Sequence, residues 1–171
     1  ASLDRISETR RRILEKEKRS YWHQFNDGLL GPIAVARLAD GISEMLDKGG
    51  SIPLTDRKYM EKIWETPEFL NFLLSIPLLG RFAQDSLSDR LALSYDVTTG
   101  FIAAQEEVIK LVRSMSPQEE QAGVNEPSIV AKLEGEIHQN RIGGLTYLRN
   151  MREAYPEIAR AIATKHAIRS V

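Results

Sequence analysis

Apolar positions in this chain recur at three and four residues, in segments separated by Gly, Pro and short polar stretches. That spacing marks amphipathic helices. The first segment, from about Leu3 to Asn26, is charged and helix-prone, with Leu14, Tyr21 and Phe25 forming an apolar line in its second half. Gly28 suits a left-handed stop just beyond its end, and Pro32 suits the first position of a second helix. There Val35, Leu38, Ala39, Ile42, Met45 and Leu46 make the stripe, and Gly49-Gly50 ends it. Thr55 is placed to cap a short helix carrying Tyr59, Met60, Ile63 and Trp64.

Thr66-Pro67-Glu68 repeats the start signal of cap, proline and first-turn acid. The residues after it, Phe69, Leu70, Phe72, Leu73 and Leu74, are apolar nearly all round and are expected to be buried. Pro77 restarts the chain into the longest helix, about Leu78 to Met115. Its stripe is expected at Leu79, Phe82, Ser86, Leu93, Val97, Phe101, Ala104, Val108 and Val112. Ser116-Pro117-Gln118-Glu119 has capping-box spacing. The polar, Gly- and Pro-bearing stretch Gln121 to Pro127 reads as a linker. A helix with Val130, Leu133, Ile137, Leu148 and Met151 follows, with Gly143-Gly144 as its weak point. Pro156 opens a last helix carrying Ile158, Ile162 and Ala163.

No alternating strand pattern of useful length and no internal repeat is present. The expected class is therefore all-α: a multi-helix bundle of about six helices with one long central helix. The linker divides it into a main bundle, residues 1–120, and a C-terminal helical segment, residues 121–171.

Composition narrows the function classes. The chain has 171 residues, 42% hydrophobic and 27% charged, with net charge -1. No whole-molecule field draws it to nucleic acid or to an anionic bilayer. It has no cysteine, which removes disulfides, thiolate metal sites and thiol catalysis. Its longest apolar runs, such as Ile76-Pro77-Leu78-Leu79, fall far short of the roughly 20 residues that span a bilayer. The charged N-terminus lacks the apolar region of a signal peptide. Ala1 is not a methionine start, and Lys165 to Val171 break off inside a helical pattern, so the chain reads as a fragment of a longer protein.

Candidate chemistry is sparse. Of the three histidines, His23 falls on a polar face with Arg19, Asn26 and Asp27, as an exposed residue would. Glu134 and His138 are four apart and share a helix face, but zinc needs three or four ligands, and His166 could join them only through folding. Asp85 and Asp89 are also four apart; Arg81 and Arg90 beside them make a solvated charged face the simpler reading. Asp96 is set among apolar residues and small hydroxyls. A buried acid there needs hydrogen-bond partners, and Tyr95, Ser94 or Thr99 could supply them. The main reading of Asp96 is structural anchoring, with a ligand or regulatory site as the other. No serine sits in a nucleophile elbow, and the glycines form no nucleotide fingerprint or phosphate loop. The chain is expected to be no enzyme, with no catalytic, cofactor-binding or metal residues. Arg10-Arg11-Arg12 with Lys16, Lys18 and Arg19 is basic, but Glu8, Glu15 and Glu17 are interleaved, as on a solvated helix exterior. Placed just after a membrane span, Arg10, Arg11, Arg12 and Lys16 could touch anionic lipid headgroups. Nucleic acid is not expected, since no aromatic stacking platform adjoins these residues.

One resemblance goes further. Tyr95-Asp96-Val97, Gly100-Phe101-Ile102 and Glu106-Glu107-Val108 resemble the middle of the cytoplasmic helical region of sodium/proton antiporters of the sperm-specific and plant salt-tolerance types. Arg19-Ser20-Tyr21-Trp22 with Gly28 and Ala36-Arg37-Leu38-Ala39-Asp40 resemble its start. Tyr155-Pro156-Glu157-Ile158-Ala159-Arg160 and Thr164-Lys165 resemble its end. The similarity spans roughly residues 10 to 170. It implies a regulatory and dimerisation domain on the cytoplasmic side of a cell membrane. Residues 1–120 would follow the last span of the protein's own transport domain. Residues 121–171 would lead toward a further regulatory module, of the cyclic-nucleotide-binding kind in relatives. The ion-binding acids of that family have no counterpart here. Two other classes stay open: a stand-alone helical adaptor for an amphipathic partner helix, and a small helical enzyme or ligand-binding domain using Asp96 or Glu134 with His138.

Overall fold

The computed structural model describes residues 2–65, 72, 74–116, 128–169 and 171. Among them the chain is all-α, with six helices and no strand: α1 Ser2–Asn26, α2 Pro32–Asp47, α3 Lys58–Trp64, α4 Gly80–Ser114, α5 Ile129–Ala154 and α6 Pro156–Arg169. The 35-residue α4 is central and packs against α1, α2, α5 and α6. Among the described residues no helix is long and apolar enough to cross a membrane. The start signal at 66–68, the residues Phe69, Leu70 and Leu73, the capping-box positions 117–119 and the linker 121–127 lie outside the described residues.

The main core follows the expected periodicity through the second half of α4. Val97, Phe101, Ala104, Val108 and Val112 are all buried, against Leu14 and Tyr21 of α1, Leu38 and Ile42 of α2 and Leu133 and Ile137 of α5. The first half departs from expectation. Leu79 is 44% exposed and Phe82 74% exposed, while Ala83, Leu87 and Leu91 are buried. The buried face runs one residue later than the expected stripe, a turn of about 100° around the helix. The partners there explain the shift. Leu87 and Leu91 meet Met151 of α5 and Ala159 of α6 in a second, smaller cluster, and the small Ala83 shares their face. Phe72, expected inside, is 66% exposed.

Turn chemistry accounts for most of the helix ends. Gly28 takes the left-handed conformation expected of it, and Pro32 stands at the start of α2, where its missing N–H costs nothing. Gly50, at φ 76, is doubly constrained: a Cβ on it would lie 2.2 Å from the Ser7 carbonyl oxygen. Thr55 is not the cap of α3. That helix begins at Lys58, Arg57 precedes it, and no side-chain cap bond is made. Gly143-Gly144 is not a weak point either. α5 runs through it unbroken, and Gly144 lets α4 approach, since a Cβ there would meet Ile102 Cγ1 at 2.7 Å.

Candidate functional site: the Asp96 cleft and its supporting networks

α2 has no side chain of its own at its cap position, Gly31. The carboxylate that fills this role comes from α4. Asp96 Oδ2 accepts the Gly31 N–H at 3.0 Å, placing negative charge at a helix N-terminus where the macrodipole favours it. From the other side Arg169, at the end of α6, donates to both Asp96 oxygens at 3.2 and 3.3 Å. The Asp96 side chain is 14% exposed and that of Arg169 47%. One carboxylate thus joins positions 65 residues before it and 73 after it.

The expected partners of Asp96 do other work. Ser94 donates to the Ile63 and Arg90 carbonyls at 3.0 and 2.9 Å, and Thr99 donates to the Tyr95 and Asp96 carbonyls at 3.0 Å. Tyr95 instead meets the His166 ring edge to face, 5.4 Å between centroids, and His166 Nε2 lies 3.4 Å from Thr99 Oγ1. These groups border a cleft of about 640 Å³ between the start of α2, α4 and α6. Ile33, Ile158 and Ile162 line it with Asp96, His166 and Arg169. Its carboxylate is already ion-paired and capping a helix. The arrangement suits docking of a helix end better than proton transfer.

Elsewhere in the bundle lie two buried polar networks that the spacing of the sequence does not announce. Glu17 on α1 and Arg57 before α3 are 0% and 3% exposed and make two hydrogen bonds, 2.8 and 2.9 Å. Tyr21 donates to Glu17 at 2.5 Å, and Arg57 also donates to the Leu54 carbonyl at 2.6 Å and to the Tyr59 hydroxyl at 3.1 Å. The Arg57 guanidinium lies 5.3 Å from the Phe101 ring centre. Burial raises the Tyr21 phenol well above its ordinary value, and Glu17 adds to the rise. Burial likewise pushes Tyr59 up to about 12, although Arg57 pulls it down. For Arg57 itself burial is the largest single influence and disfavours the charge, but Glu17 together with Tyr59 and Tyr21 outweighs it, and the guanidinium holds its proton more tightly than usual. This is a locked ion pair and not an acid–base pair.

The second network holds the same loop, at Leu54. Arg10 on α1 donates to Glu136 on α5 at 2.7 and 3.3 Å, and Glu136 also accepts the Leu54 N–H at 3.0 Å. Asn140 donates to the Leu54 carbonyl at 2.9 Å and to Gln105 Oε1 at 3.3 Å. Both backbone groups of the fully buried Leu54 are therefore satisfied by side chains from other elements, as burial requires. The basic run of α1 is consequently not one solvated face. Arg10 points inward, Arg11 pairs loosely with Glu8 at 3.4 Å, Arg12 is exposed and Lys16 half-buried.

Of the remaining candidates only Asp89 borders the cleft. His23 is exposed, as expected. Glu134 pairs with Arg113 at 2.9 Å, leaving His138 exposed beside it. Asp85, Asp89 and Arg81 are exposed on α4. Among the described residues no group of three or more His, Asp or Glu side chains could hold a metal ion. No protein-family model matches the chain, and no curated protein matches it.

Proposed function

We propose that the chain is the regulatory and dimerisation domain of a sodium/proton antiporter, coupling a downstream sensor to the membrane transport domain. One observation carries the reading. Asp96 belongs to the stretch on which the antiporter resemblance rests, and it bonds both to the start of α2 and to the end of α6. A change in how α6 sits is felt at this carboxylate, and through Gly31 at the turn joining α1 to α2. Helices that shift between discrete packings transmit such a bias, typically with about 1–3 kcal/mol of coupling. In this reading Arg11, Arg12 and Lys16 face anionic headgroups, while Arg10 is occupied internally by Glu136.

The test has two arms. The coding sequence of the parent gene is expected to specify a series of spans of about 20 apolar residues ahead of Ala1; a parent gene without any would end the antiporter reading. Sodium-driven proton flux in vesicles containing the full-length exchanger is expected to lose its response to the sensor in Asp96→Asn while basal flux persists. Sedimentation of the isolated chain checks the pairing, and a monomer at high concentration removes the dimerisation part. The adaptor reading draws on the exposure of Leu78, just before α4, and Phe82, in its first turn, 87% and 74%. It is favoured if the gene lacks spans and a partner helix protects those two residues from exchange.

A further inference from the structure

The chain is nearly neutral overall, yet its positive charge is not evenly matched. Arg10, Arg57, Arg113, Arg141 and Arg169 each reach a carboxylate. A second cleft, about 570 Å³, lies between α2, α3 and α4 and gathers cations that do not. Arg37 comes from α2, Lys58 and Lys62 from adjacent turns of α3, and Arg90 from α4. Among the described residues none of the four is ion-paired; Arg90 donates at 3.2 Å to the Glu65 backbone carbonyl. All four are exposed. The one carboxylate lining the cleft is Glu44, which leaves three positive charges unmatched. The floor is hydrogen-bonded by contrast: the Tyr59 hydroxyl accepts from Arg57, and Ser94 donates to the Ile63 carbonyl.

We infer that this cleft binds an anion carrying two or more phosphate groups. A phosphate ester bears about -1.5 to -2 charge at neutral pH, so two of them match three unpaired cations where one does not. Two arginines on different helices offer forked donors that fit phosphate oxygens, and two lysines four apart on α3 supply mobile point charges between them. Without the ligand, three helices meet with like charges facing one gap; with it, the ligand bridges all three. The binding is independent of the antiporter reading. The phosphates could belong to a soluble polyphosphate or to a lipid headgroup, and the chemistry of the site is the same for both.

Calorimetric titration with inorganic tripolyphosphate and co-sedimentation with vesicles of phosphatidylcholine containing a phosphatidylinositol bisphosphate separate the two sources. Saturable tripolyphosphate binding that raises the melting temperature supports the site and a soluble ligand. Vesicle binding alone supports it with a lipid source. In either case Arg37→Gln with Arg90→Gln is expected to weaken binding roughly tenfold or more. Lys58→Gln with Lys62→Gln should weaken it in the same direction and serves if the arginine pair misfolds. The control, Lys132→Gln on α5 with Arg160→Gln on α6, removes the same charge at exposed positions outside the cleft and should leave binding intact. The inference is overturned if neither probe binds, if the control weakens binding as much as the cleft variants, or if only a single-stranded oligonucleotide binds.

Discussion

The carboxylate of Glu17 and the guanidinium of Arg57, 40 positions apart, face each other through two hydrogen bonds with almost no access to water. Such a pair contributes little net stability, because two charges are desolvated to make it, but leaving one of them alone is costly. Arg57→Met is therefore expected to destabilise the chain by about 3–5 kcal/mol. Glu17→Leu combined with Arg57→Met should cost clearly less than the sum of the single changes. Urea unfolding of the two singles and the double variant checks this. Additive losses would mean that the two residues act separately.

The same neighbourhood sets an alkaline limit. An unfolded tyrosine ionises near 10, and in the fold burial pushes Tyr59 up to about 12. Tyr21 moves in the same direction for the same first cause. The folded chain thus holds these phenolic protons more tightly than the unfolded chain does. The stability this represents is complete below pH 10 and is lost as pH rises through about 12. Unfolding measured across that window should show a fall in stability for the wild type and a smaller fall for Tyr59→Phe. Equal slopes in the two would place the alkaline sensitivity elsewhere.

Two glycines of α5 should respond in opposite directions to the same change. A Cβ on Gly135 would meet nothing within 4 Å, so Gly135→Ala only restricts the unfolded chain and improves helix propensity. A gain of about 0.5–1 kcal/mol is expected. A Cβ on Gly144 would press on Ile102 Cγ1 at 2.7 Å. Overpacking of that kind costs about 1–3 kcal/mol. Melting temperatures of the two variants, rising for one and falling for the other, are the measurement.

At the Asp96 cleft the two hydrogen-bond partners carry unequal weight. Arg169 is half exposed, so Arg169→Ala should change stability by no more than about 1 kcal/mol. Asp96→Ala leaves the Gly31 N–H without its acceptor and should cost about 1–3 kcal/mol. Amide exchange at Gly31 is expected to quicken in Asp96→Ala and to stay unchanged in Arg169→Ala. Matching exchange rates in the two variants would mean that the Asp96 carboxylate does not by itself protect that amide.

Helix number, class and the α2 stripe were legible because they depend on local spacing and on Gly and Pro at the turns. The polar interior was harder to read, although one signal was present. Ile13, Leu14 and Tyr21 define the buried face of α1, and Arg10, Glu17 and Gln24 fall on it at the same three- and four-residue intervals. Charges inside an apolar stripe point inward and need partners; read as members of a basic run, Arg10 and Glu17 looked solvated. Their partners Glu136 and Arg57 are distant in sequence, and no periodicity announces them. The register of early α4 failed for the complementary reason. Leu79 and Phe82 are the larger apolar side chains, but α5 and α6 present Met151 and Ala159 to the face that holds Leu87 and Leu91. Asp96 drew notice as an acid among apolar residues. Its actual partners, a backbone N–H and a terminal arginine, are set by tertiary packing alone.

α4 threads both hydrophobic clusters with one uninterrupted backbone, Leu87 and Leu91 in the smaller and Val97 to Val112 in the larger. At about 1.5 Å per residue, Leu87 and Val108 stand about 30 Å apart along its axis. A rotation of the rod that relieves a misfit at one end swings the other end through the same angle. Paired substitutions in the two clusters should then depart from simple summation at a separation where independent sites normally add.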